Sequence, residues 1–135
     1  MHQRFTFSKD ERLSSKTFID NIFNGGKPLF AYPFRIIMLP VGYDKKAPAK
    51  VLFTVPKKNF KRAVQRNQIR RRMREAYRLN KNELTSILQE QNQSLALMFI
   101  YIEKEIKDYR TIEKGMKKAL RKIQNSPLAK PASEQ

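Results

Sequence analysis

The residues best able to do chemistry in this 135-residue chain are its cations, and that chemistry is the binding of phosphate. Residues 57–81 carry eleven basic side chains: Lys57, Lys58, Lys61, Arg62, Arg66, Arg70, Arg71, Arg72, Arg74, Arg78 and Lys81. Against them stands one acid, Glu75, so this segment supplies +10 of a net charge of +17. A solvated helix usually mixes signs, because opposite charges four residues apart stabilise it. Here the charges at that spacing are mostly alike and destabilise the isolated helix, so a polyanion must compensate from outside. Arginine suits the task, since its planar fork grips phosphate bidentately and stacks on bases.

Residues for covalent or acid–base chemistry are sparse. The one histidine, His2, lies in the N-terminal arm, whereas acid–base cleavage of RNA needs placed general acids and bases. Glu103, Glu105 and Asp108 form the only carboxylate cluster. A metal-dependent nuclease would need such a cluster, but Lys104 and Lys107 interleave this one and it reads as a solvated loop. Ser14 and Ser15 have no base near them in sequence and read as helix caps. Gly25-Gly26 reads as a helix stop and not as a phosphate loop. No catalytic residue and no protein-held metal is therefore expected.

Composition sets the frame. At 40% hydrophobic residues the chain can bury a core, and its length suits one domain. We expect that domain over residues 1–124 and a disordered tail over 125–135. Cysteine is absent, which rules out disulfides and thiolate zinc sites. Residues 1–11 contain no apolar signal segment. The longest apolar run, Leu95–Ile102, is too short to span a bilayer. The expected location is the cytoplasm.

These side chains need elements to position them. Residues 1–11 read as an irregular arm. Phe18, Ile19, Ile22 and Phe23 form one helical face, capped by Ser14 or Ser15 and ended by Gly25, Gly26 and Pro28. Lys27–Ala31 reads as a short strand, Phe34–Val41 as a full one, and Val51–Val55 as its hairpin partner across a polar turn. A loop follows over 56–61. The basic helix runs from Arg62 to Lys81 and frays onward to Gln91. Leu95–Ile102 is apolar on both alternations, which predicts a central strand covered on both faces. Asp108 caps a last helix whose apolar face is Ile112, Met116, Ala119 and Ile123, with Gly115 costing about 1 kcal/mol relative to Ala. The fold class is α+β, a two-layer α/β sandwich in the order α-β-β-β-α-β-α.

Helical phase shows where the cations of the basic helix point. At about 100° per residue, Ile69, Met73, Ala76 and Tyr77 share one arc of about 100°. Arg70, Arg74, Asn67, Arg78 and Arg71 fill the neighbouring arc, so the basic ridge borders the core face. Arg70 and Arg74 lie nearest the packed side. A membrane-surface helix is disfavoured, because the apolar arc is narrow and lacks Trp. Aromatic residues tilt the reading toward RNA or unpaired strands. The candidates for stacking are Phe23, Phe30, Tyr32, Phe34 and Phe53, each of which also suits a core.

The segment Arg66-Asn67-Gln68-Ile69-Arg70-Arg71-Arg72-Met73-Arg74-Glu75-Ala76-Tyr77 resembles the signature helix of the protein subunit of bacterial ribonuclease P. Val51–Lys58 before it is similar too, as is Arg12-Leu13 with Phe23 and Gly26 downstream. The resemblance covers residues 11–124. It implies a left-handed βαβ crossover around the signature helix, against the usual hand. It implies a catalytic RNA as partner, precursor tRNA as substrate, and magnesium ions held mainly by that RNA for the hydrolysis.

Carried over position by position, the resemblance puts Arg62, Arg66, Asn67 and Arg71 against the catalytic RNA. It puts Phe23, Lys57, Lys58, Arg70 and Arg74 along the 5′ leader of precursor tRNA. Gln68 stands where the family usually has a second arginine, Ile19 where an aromatic often lies, and Ile37 where some relatives have tyrosine. These departures imply a cleft that stacks less and relies more on charge. The competing readings are a structural RNA binder of ribosomal type and a self-sufficient metal nuclease. The signature helix disfavours the first and the carboxylate count the second.

Overall fold

The computed structural model describes residues 7, 9–12 and 16–126. Helix α1 (Lys16–Gly25) leads into β1 (Lys27–Ala31), β2 (Phe34–Val41) and β3 (Ala49–Thr54). Helices α2 (Ala63–Asn80) and α3 (Asn82–Glu90) then precede β4 (Ser94–Tyr101) and α4 (Tyr109–Gln124). The strands form one sheet in the order β1-β2-β4-β3. β4 pairs antiparallel with β2 and parallel with β3, so α2 and α3 form the crossover between parallel neighbours.

The expected β2–β3 hairpin does not form. β2 instead turns back on β1, with Phe30 opposite Arg35, and β4 inserts between β2 and β3. The reason is burial. Leu95, Leu97, Phe99 and Tyr101 project to one face of β4, and Ala96 and Met98 to the other, all six buried. At a sheet edge these two apolar rows would be far harder to cover.

The two faces carry unequal cores. On the larger side α2 and α4 cover Phe34, Ile36, Met38, Val51, Phe53, Leu97 and Phe99. The four α2 residues of the predicted apolar arc, Ile69, Met73, Ala76 and Tyr77, are all buried there. On the smaller side α1 lays Ile22 over Ile37, Ala96 and Met98, with Ile19 half-buried beside them. Ile19 and Ile37, two of the departures from the family pattern, thus share one apolar cluster. The cap expected at Ser14 or Ser15, the side chain of Phe18 and the tail from residue 127 lie outside the described residues.

The arm is more ordered than its composition suggests. Lys9–Glu11 forms a 3-10 turn, and Arg12 makes a parallel bridge to Val51 on the free edge of β3. Phe7 packs against Phe53 and Tyr77, with ring centroids 5.7 and 5.9 Å apart. The basic helix also does not fray as one piece to Gln91. It breaks at Lys81, a buried residue whose ammonium lies 2.5 Å from the Glu11 carboxylate. α3 restarts from there and buries Leu84 and Leu88.

Gly26 and Gly115 are required by close approach. A Cβ on Gly26 would stand 2.4 Å from Ile37 Cγ2, where the chain leaves α1. A Cβ on Gly115 would stand 2.3 Å from the Tyr32 carbonyl oxygen and 2.5 Å from Pro33 Cδ. The propensity cost of Gly115 is therefore offset by letting α4 seat on the β1–β2 turn. Gly115→Ala should lower stability by about 1–3 kcal/mol despite its gain in helix propensity. Denaturant unfolding checks this, and an unchanged midpoint would show that the turn can yield. Asp108 caps α4 as predicted, accepting a 2.9 Å hydrogen bond from Thr111 N.

Candidate nucleic-acid interface

The basic segment starts in the loop after β3. Asn59 N and Phe60 N both donate to the Pro56 carbonyl, giving the loop a tight turn. Phe60 is buried against Tyr101. From one turn inside α2, Arg66 reaches back and donates to the Phe60 and Lys61 carbonyls at 2.7 and 2.8 Å. Lys57 and Lys58 stand exposed on the loop so held. Arg62 at the N-cap is extended and exposed, and it makes no side-chain cap. The first turn of α2 holds no acid, so the positive end of the helix dipole adds to these cations.

Further along α2 the arginines divide by task. Arg70 donates to the Asn67 side-chain oxygen, joining two residues that the family resemblance gives to different RNAs. Arg72 turns to the other flank and donates 2.6 Å to the Lys107 carbonyl. Arg78 grips Glu75 through two hydrogen bonds of 3.0 and 2.6 Å. This pair three residues apart is a partial exception to the like-charge pattern, and it holds the Glu75 carboxyl below its usual range. Arg71 and Arg74 are exposed.

Among the described residues, the salt bridges within segment 57–81 take only Arg78 and Lys81. Of the other nine, Arg66 and Arg72 are spent on backbone carbonyls, and Lys57, Lys58, Lys61, Arg62, Arg70, Arg71 and Arg74 are left with neither a carboxylate nor a backbone-carbonyl partner among those residues. Seven neighbouring cations without counter-charge form a strong phosphate-binding surface.

Phe23 belongs to a different part of the site. It is 60% exposed on α1, across the sheet from the α2 core. α1 covers only part of that face. Beside it the cross-strand row Phe30–Arg35–Ile100–Thr54 stays exposed or half-buried, by register and burial. This row ends at Thr54, and the Lys57–Lys58 loop begins just beyond. The geometry therefore brings Lys57 and Lys58 to the junction of an open sheet face and the α2 ridge. The notch between α2 and the β3 edge is filled by Phe7, whose ring lies against Tyr77. Arg70 and Arg74 rise on the flank next to Tyr77, by helical phase.

Of the stacking candidates, Phe34 and Phe53 are core, while Phe23, Phe30 and Tyr32 are 60%, 55% and 47% exposed. Glu103 and Glu105 do not share a strand face, because β4 ends at Tyr101. Glu103 accepts a 2.6 Å hydrogen bond from Tyr32, and Glu105 pairs with Lys107 at 3.3 Å. Among the described residues no three His, Asp or Glu side chains converge as metal ligands would.

Sequence reasoning misses three features. Arg35 stands in the open row, but a single arginine in a strand reads as an ordinary solvent-facing residue. The tether made by Arg66 depends on loop carbonyls that no motif specifies. The third, the cationic flank of α4, goes unread although its signal is there: Arg110, Lys114, Lys118 and Lys122 recur at intervals of four.

Comparison with known proteins places the sequence and the fold. The family model described as Ribonuclease P matches residues 7–124. The ribonuclease P protein component of Porphyromonas gingivalis is 40% identical over 119 residues, covering 88% of this chain and 87% of the relative. That of Chlorobaculum tepidum is 59% identical over 49 residues, 36% of this chain and 32% of the relative. In fold, the chain is similar to the RNase P protein of Thermotoga maritima, with a TM-score of 0.65 at 24% identity over 83% of this chain and 96% of that one. The RNase P protein of Staphylococcus aureus gives 0.64 at 18% identity, covering 85% and 95%. The signature helix, the architecture and these matches together establish that the chain belongs to the ribonuclease P protein family.

Proposed function

We propose that the chain grips two stretches of RNA at once. Arg62, Arg66, Asn67 and Arg71 hold the catalytic RNA, and Phe23, Lys57, Lys58, Arg70 and Arg74 hold the 5′ leader of precursor tRNA. Family membership makes the chain the accessory protein subunit of ribonuclease P, the endoribonuclease that matures tRNA 5′ ends. The observation that carries the assignment of surfaces is the block of seven cations without counter-charge, placed where the open sheet face meets α2.

On this reading the leader runs over the row beside α1, with Phe23 and Arg35 at hand. It then passes Lys57 and Lys58 to the flank of Arg70 and Arg74. On the same reading the hydrolytic magnesium is held mainly by the RNA. The work of the protein is positioning and charge neutralisation. Among the described residues no helix is long and apolar enough to cross a membrane, and we place the protein in the cytoplasm with its RNA.

The direct test compares affinities of the RNA alone and the assembled complex for precursor and mature tRNA. Protein should tighten binding of the precursor and leave the mature form nearly unchanged. Equal tightening of both would argue for a structural RNA binder with no leader site. RNA binding should also weaken steeply with salt. Each phosphate neutralised contributes about −0.7 to −0.9 to the slope of log K against log salt, so we expect about −3 or steeper. A slope near zero would remove the electrostatic basis of the reading.

A further inference from the structure

A second cationic surface lies away from the signature helix. α4 holds six basic residues and one acid, Glu113. Glu113 sits on the flank toward α2, where it accepts hydrogen bonds from Asn80 at 3.3 Å and Tyr109 at 3.2 Å. On the other flank Arg110, Lys114, Lys118 and Lys122 recur every fourth residue, a rise of about 6 Å per step. They form one wall of a groove of about 520 Å³ between α4 and the end of β1. The Phe30 carbonyl, Ala31 and the half-exposed Tyr32 line the other wall.

The groove is built into the fold. Gly115 brings α4 against the Tyr32 carbonyl and so sets the width. Lys122 Nζ donates 2.6 Å to the Phe30 carbonyl and fixes one end. The Tyr32 hydroxyl donates to Glu103, which orients the ring at the other. Arg110, Lys114 and Lys118 remain without a carboxylate partner among the described residues. β1 is one edge of the sheet, and β3, beside the α2 ridge, is the other.

We propose that this groove binds a short single-stranded RNA segment, its phosphates along Arg110, Lys114 and Lys118 and a base against Tyr32. A row of cations facing an aromatic ring is an arrangement that holds unpaired strands, because the charges track the backbone and each base offers a face for stacking. A duplex would hide its base faces from this ring. The site is separate from the two RNA surfaces proposed above and gives the protein a third point of contact.

The test uses the full chain carrying Arg70→Ala and Arg74→Ala, so that the ridge contributes less. The probe is a short fluorescein-labelled oligouridylate, read by anisotropy at fixed low salt. Adding Lys114→Ala and Lys118→Ala should weaken binding about tenfold. Adding Lys117→Ala and Arg121→Ala instead removes the same charge from the same helix outside the groove, and should change affinity by less than about twofold. Tyr32→Leu should weaken binding about threefold or more without altering the charge. Should the alanine pair impair folding, Lys114→Gln with Lys118→Gln carries the same expectation. Equal losses from the two lysine/arginine pairs, or no loss from the groove variants, would overturn the proposal. So would displacement of the RNA by polyglutamate at equal charge, which would mark a site for acidic peptide.

Discussion

Alanine at both Arg70 and Arg74 should cost the assembled complex about 1–3 kcal/mol of affinity for a precursor tRNA with a long leader, and almost nothing for leaderless tRNA. The two residues lie one turn apart on the flank of α2 next to buried Tyr77, downstream of the Lys57–Lys58 loop. Neither has a carboxylate partner among the described residues, so no ion pair within the protein is broken by either change. The two are not equivalent. Arg70 donates to Asn67, which we place against the catalytic RNA. Arg70→Ala therefore also frees Asn67 and should weaken assembly slightly, whereas Arg74→Ala should act through the leader alone. Dissociation constants with and without leader, for each single variant and the pair, separate these effects. Equal losses for both substrates would mean that the ridge is one undivided electrostatic surface.

Arg66→Ala should have the broadest effect of any single change among the arginines of α2. Arg66 carries one charge but makes two hydrogen bonds to the Phe60 and Lys61 carbonyls, and these hold the loop that presents Lys57 and Lys58. Hydrogen bonds from a charged donor are worth about 1.5–3 kcal/mol each before relaxation. We expect a stability loss of about 1–3 kcal/mol, weaker assembly with the catalytic RNA, and weaker leader binding as the loop loosens. Both bonds leave one guanidinium nitrogen at the far end of the side chain; Arg66→Lys keeps the charge but carries a single ammonium on a shorter stem, so it should recover little. Arg71→Ala is the contrast: exposed and without a carboxylate partner, it should weaken assembly and leave stability unchanged. Thermal unfolding together with titration of the catalytic RNA distinguishes the two. Full rescue by lysine at position 66 would show that charge alone matters there.

The apolar face of α2 was legible because four residues at helical spacing admit one buried arc, and all four are buried. The central place of β4 was legible from apolar residues on both alternations. Its neighbours were not. A polar stretch between β2 and β3 looks like a hairpin turn, and only burial of both faces of β4 decides that β4 separates them. The aromatics show the same limit. Phe34 and Phe53 are core while Phe23, Phe30 and Tyr32 face outward, yet each sits in an equally apolar local pattern. For the site, the cations were legible from composition and spacing. Their division into ridge, loop and tether was not, because it rests on the carbonyls of residues 60, 61 and 107.

The central claim is that this protein holds RNA for a reaction whose chemistry belongs to its RNA partner. The most direct measurement is the cleavage rate of precursor tRNA across a magnesium titration, with the cognate catalytic RNA, with and without the protein, and with RNA-free protein as a third arm. The protein should raise the rate most at low magnesium, where its cations replace screening that metal ions otherwise supply, and RNA-free protein should leave the substrate intact at every magnesium concentration. Robust cleavage by the RNA-free protein, or no stimulation at low magnesium, would contradict it.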